Sequence, residues 1–211
     1  MGLHAFFVFD AFTEFFSALT ALFVAYYSLK AYKILDDSRM VALNLGFSIL
    51  GVGMLVHGAI KVRIALAVLS GVPVPPAKRL PLVRLGYTLA FATELAAYAL
   101  ILLATIKKPS SQELEATLVP PLAAPLLEYD FRSEALLAVL ALLIAVKAGI
   151  GYSQRESRLA GLVSLGFALL AVGHLLLVFG GPLKLIAADV ARLLGFACLL
   201  WMVVKVSRVG A

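Results

Sequence analysis

An all-α integral membrane protein of six transmembrane helices is the fold class this sequence predicts, and three observations predict it. Hydrophobic residues make up 63% of the 211-residue chain. The mean hydropathy is +1.02. Apolar runs of roughly 20 residues, each long enough to cross a ~30 Å hydrocarbon core, recur along the whole length. Charged residues are only 14%, against about 25% in a soluble domain. No soluble core could hide so much apolar surface. The lipid bilayer is therefore the expected partner, and the cell membrane the expected setting for a multi-pass chain.

Reading the apolar runs between charged or Pro/Gly punctuation places the spans at residues 5–29, 40–60, 85–106, 131–152, 159–180 and 184–206. YYSLKAYK closes the first span with the aromatic and lysine belt of a membrane interface. KVRIALAVLSG (61–71) follows the second span, either extending that helix or lying along the interface, where it would serve contacts between subunits. SGVPVPPAKRLP (70–81) reads as a proline-rich loop. KKPSSQELEATLVPPLAAP (107–125), the longest polar stretch, reads as a linker between a first unit, 1–106, and a second, 126–211.

These two units resemble each other. SRMVALNLGFSILGVG (38–53) matches SRLAGLVSLGFALLAVG (157–173) with one inserted residue. Asp10 and Glu14 return 120 positions later as Asp130 and Glu134, and RLGY (84–87) is echoed by RLLGF (192–196). Three matches in one order indicate an internal duplication. With three crossings per unit, an odd number, the second unit enters from the opposite face. The expected architecture is thus two inverted three-helix repeats about an axis in the membrane plane. Both termini then share a side, and the flanking Lys and Arg residues lean toward the cytoplasm for both.

The net charge of +6 does not point to nucleic acid, because the basic residues form no stripe and sit at the ends of apolar runs, where they anchor helices. The single cysteine, Cys198, excludes an internal disulfide, a zinc cluster and a CxxC redox site. The start carries acids rather than the basic n-region of a signal peptide, so it reads as mature sequence. HExxH, GxSxG with placed partners, GxGxxG and P-loop signatures are all missing, which argues against an enzyme.

The acids carry the chemistry. At about 1.5 Å rise per residue, Asp10 lies roughly 7 Å and Glu14 roughly 13 Å into the first helix, while Glu134 sits nearer the surface. Glu94 is centred in the third span. A carboxylate at the bilayer centre costs at least ~2.5–3.5 kcal/mol, so a base, water, a cation or a proton must offset it. Arg192 has a neighbour in Asp189, three residues earlier, and Arg132 has Glu128 and Asp130. Glu94 is left without a counter-charge. Small residues Ala90, Thr93 and Ala97 flank it and turn that face into the bundle. Glu94, Glu14 and Glu134, with Asp10 and Asp130, then make an acidic cluster for protons or a bound cation. The plainer alternative is that the paired acids cap helix starts or bond neighbouring hydroxyls.

His57 and His4 lie on one side and offer a haem-ligand pair, while His174 ends the fifth helix without a partner. Glycines in GFSILGVGMLVHG (46–58) and KAGIGY (147–152) read as close helix packing rather than hinges. The function expected is a small channel or transporter for a cation or protons. The alternative is a haem-binding or structural subunit of a redox or sensory complex, acting as a homo-oligomer or with partner membrane subunits.

Overall fold

The computed structural model describes residues 3–70, 76–106, 130–155 and 158–209. They form six long helices: α1 (Leu3–Leu35), α2 (Ser38–Leu69), α3 (Pro76–Ile106), α4 (Phe131–Arg155), α5 (Arg158–Phe179) and α6 (Pro182–Val209). Each contains a stretch of 22 to 30 residues apolar and long enough to cross a membrane. In hydrocarbon every backbone N–H and C=O must be satisfied within the protein, which a continuous helix does. The chain is a multi-pass membrane protein.

Local chemistry sets the helix ends. Asp36 takes a left-handed conformation (φ 50°) that stops α1, its amide bonding Tyr32 O at 2.8 Å. Asp130 caps α4, its Oδ1 accepting from the amides of Arg132 (2.8 Å) and Ser133 (3.1 Å). Gly180 and Gly181 turn the chain between α5 and α6 at φ 61° and 95°, after which Pro182 starts α6 at the position where a missing N–H costs nothing. KVRIALAVL continues α2 to Leu69, the first of its two expected readings, whereas the end of the segment expected to be a proline-rich loop is helical from Pro76. The linker 107–125 lies outside the described residues.

Each helix packs on its chain neighbours, and α1 also packs on α6, so the six close into a ring. Within each half the contacts recur at fixed offsets. Asn44 Nδ2 on α2 donates to Ala25 O on α1 at 2.9 Å. Ser164 Oγ on α5 donates to Ala145 O on α4 at 2.8 Å, the same bond 120 residues on. Gly46 lies against Ala97 and Ile101 of α3, and Gly166 against Gly195 and Leu199 of α6. Those partners stand 98 positions apart, so the third helices align as Glu94 with Arg192 rather than through RLGY and RLLGF. Gly53 is the tightest crossing: a Cβ there would lie 2.0 Å from Thr93 Oγ1, so only glycine lets α2 and α3 approach this closely.

The sense of the second half departs from the expectation. Asp10 near the start of α1, Glu134 at the start of α4, and Leu185 and Asp189 near the start of α6 all face one cavity. His57 and Lys61, late in α2, and Leu177, at the end of α5, face it as well. The starts of α1, α4 and α6 therefore lie at one end of the bundle, with the ends of α2 and α5. That is a side-by-side arrangement in the same sense, and the inverted repeat is not what the helices adopt. It also puts the start of α1 and the end of α6 at opposite ends of the bundle. The inverted reading assumed a linker confined to one side, whereas Ile106 and Asp130 lie at opposite ends of the bundle.

The core consists of small residues where helices cross and of large side chains across the centre. Phe47, Tyr98, Phe167 and Phe196 are all about 1% exposed or less. Phe167 sits between Phe47 (centroids 6.5 Å apart) and Tyr98 (6.1 Å). These four occupy matching places in the two halves, at the offsets of 120 and 98. They form an aromatic layer across the bundle.

Candidate functional site

On one side of the aromatic layer is a cavity of about 300 Å³. Its polar wall holds Asp10, His57, Lys61, Tyr87, Glu94, Glu134, Asp189 and Arg192, and its apolar wall Ala90, Phe91, Leu177 and Leu185. A smaller space of about 140 Å³ adjoins it between α2 and α3, sharing Asp10, His57, Lys61 and Tyr87. Charged side chains reach this depth because they face the bundle interior and one another rather than lipid.

Lys61 holds the α1 acids. Its Nζ donates to Asp10 Oδ1 at 2.8 Å and to Glu14 Oε2 at 3.0 Å. Glu14, 4% exposed, also faces His57 Nδ1 at 3.4 Å, and the His57 ring stands edge-on to Tyr87 at 4.7 Å. On the other half, His174 is fully buried. Its Nδ1 pairs with Glu134 Oε2 at 2.7 Å and its Nε2 with the Tyr98 hydroxyl at 3.0 Å. Each half thus sets an acid of its first helix against a histidine of its second. The two histidines sit one helical turn apart in the aligned frame, close enough in phase to share a helix face.

Glu94 corrects the sequence reading. Its Oε1 accepts from Arg192 Nη2, so the midplane acid is not without a counter-charge. Because α6 runs in the same sense as α3, Arg192 is brought level with Glu94 across the bundle. The pair separates the cavity from the aromatic layer and forms its floor. Arg192 Nε is buried with no hydrogen-bond partner.

With Arg192 committed to Glu94, its expected neighbour is released. Asp189 is 9% exposed, lines the cavity, and among the described residues has no hydrogen-bond or ion-pair partner. Among the described residues lining the cavity, the acid without a direct ion pair is Asp189 and not Glu94. Sequence reasoning missed it because an (i, i+3) Arg beside an Asp looks self-sufficient. The available signal was the small-residue spacing of α6 (Ala188, Ala191, Gly195), which marks which face enters the bundle.

Of the other expected site residues, Asp10, Glu14 and Glu134 come together at this end. Asp130 does not: it is exposed and caps α4. The side chain of His4 lies outside the described residues. The haem alternative pairs His57 with His4, and the described half of that pair, His57, faces Glu14 and Tyr87 at the cavity wall.

A family of unknown function, DUF7521, matches residues 11–76. That stretch holds α1 from Ala11 on, all of α2 and the Glu14–His57–Lys61 contacts, but is well under half of the chain. No curated protein and no solved structure matches the chain.

Proposed function

We propose that this protein is a small channel or transporter that moves a cation or protons across the cell membrane by way of the acid-lined cavity. The observation that carries the reading is Asp189, a carboxylate nine-tenths buried at membrane depth with no direct ion pair or hydrogen bond among the described residues. A buried charge of this kind is costly unless something positive visits it. The balance of the wall agrees: Asp10, Glu94, Glu134 and Asp189 face only two permanently charged bases, Lys61 and Arg192. The Glu94–Arg192 pair and the aromatic layer close the far side, as a gate would. Recurrence of the same contacts supports reading the chain as two copies of a three-helix unit in one sense, an arrangement transporters use about an axis along the membrane normal.

The test is reconstitution into liposomes with a pH-sensitive dye and imposed proton or cation gradients. Protein-dependent dissipation of a gradient is expected. Flux no greater than that of empty liposomes under every gradient would end the transport reading.

Orientation follows from the revised helix sense. Among the described residues, eight Lys and Arg residues flank the helices at the end remote from the cavity (Lys30, Lys33, Arg39, Lys147, Arg155, Arg158, Lys205, Arg208). Six flank them at the cavity end (Arg63, Lys78, Arg79, Arg84, Arg132, Lys184). The positive-inside rule then puts the remote end in the cytoplasm and opens the cavity away from it. Reporter fusions are expected to read the end of α6 as cytoplasmic and the start of α1 as not; a cytoplasmic reading at both would contradict the assignment.

A further inference from the structure

We propose that the cavity binds an organic monocation, an alkylammonium with a short apolar body, with Asp189 as its counter-ion and Tyr87 and Phe91 as its aromatic wall. The inference rests on the transport reading above and narrows its cargo. It starts from what the acids have left to offer. Asp10 and Glu14 are held by Lys61, Glu94 by Arg192 and Glu134 by His174. Of the acids lining the cavity, Asp189 is the one without such a partner among the described residues.

A hard metal cation needs roughly six to eight oxygen ligands for calcium, or a near-octahedral shell for magnesium. One free carboxylate does not supply that, and no three His, Cys, Asp or Glu side chains among the described residues gather as a metal site. One carboxylate does match one positive charge.

The rest of the wall says what surrounds that charge. A volume of about 300 Å³ is room for on the order of ten waters, far more than a bare ion fills. Binding pockets for small organic molecules begin at about this size. Tyr87 and Phe91 line it beside the acids, and aromatic faces attract ammonium groups most where water is excluded. Leu177 and Leu185 close another wall with hydrocarbon, which gains nothing from a hydrated metal ion but buries an alkyl chain.

Calorimetric titration of the full-length protein in detergent with n-butylammonium, potassium and calcium tests this. Saturable binding of butylammonium alone is expected. Asp189→Asn should weaken it about tenfold or more, and Phe91→Leu, which keeps an apolar side chain but removes the π face, severalfold. Asp189→Glu should retain most of the affinity, which separates loss of charge from loss of fold. Calcium or potassium binding more tightly than butylammonium would overturn the proposal, as would equal butylammonium affinity in Asp189→Asn. If butylammonium fails to bind while reconstituted protein still dissipates a proton gradient, the narrowed cargo is wrong and the transport reading survives. Butylammonium binding without any flux would do the reverse.

Discussion

Replacing Asp189 by asparagine is expected to cut flux in reconstituted liposomes at least tenfold while leaving the folded yield unchanged. Asparagine keeps the shape of the side chain and removes its charge. Among the described residues Asp189 has no ion-pair partner to strand, so the fold loses no ion pair, and removing a buried charge should help it slightly. The contrast is Asp10→Asn. There Lys61 keeps Glu14 as a second carboxylate, and a smaller change in flux is expected. Each one-tenfold step in rate corresponds to about 1.4 kcal/mol in the barrier, which a buried full charge supplies easily. Wild-type flux in the asparagine variant would remove Asp189 from the pathway.

Arg192→Met is expected to be the most destabilising single change in the cavity. It leaves Glu94 charged, buried at 4% exposure and without its base. Breaking one partner of a buried pair costs about 3–5 kcal/mol, whereas replacing both by apolar or neutral groups is often near neutral. The double variant Glu94→Gln with Arg192→Met should therefore recover most of the loss. In a chain of this size, each kcal/mol moves the midpoint by about 2–4 °C, so thermal unfolding in detergent resolves the cycle. Additive losses would show that the two side chains do not act together. The double variant also lacks the cavity floor, and an increased leak through it is the accompanying outcome.

Helices were the legible part of the sequence, because length and apolarity alone decide which segments span a bilayer. The recurrence of contacts also has a trace in the sequence. Asp10 and Glu14 with Asp130 and Glu134, and the glycines of α2 and α5, recur at one spacing. What could not be read was the sense of the second half. It depends on where the connection after Ile106 leads, and composition between 107 and 125 does not say on which side it ends. Everything about Glu94 followed from that. In an inverted frame Arg192 stays near its own end and Asp189 is its natural partner; in the observed frame Arg192 reaches the midplane acid. Asp130 illustrates a different failure. It repeats Asp10 in sequence, yet the chain begins α4 beside it, so the same letter becomes a cap instead of a cavity wall.

Glu94 and Arg192 occupy the same place in the two halves, 98 positions apart, and meet across the centre of the ring. Had the two units been separate, identical chains associating as a twin, this position would have confronted its own copy, and an acid or a base there would have repelled itself. Opposite signs are open only to two units encoded in a single polypeptide, where each position can differ from its counterpart. An ionic lock of this kind is therefore closed to any symmetric pair of identical chains.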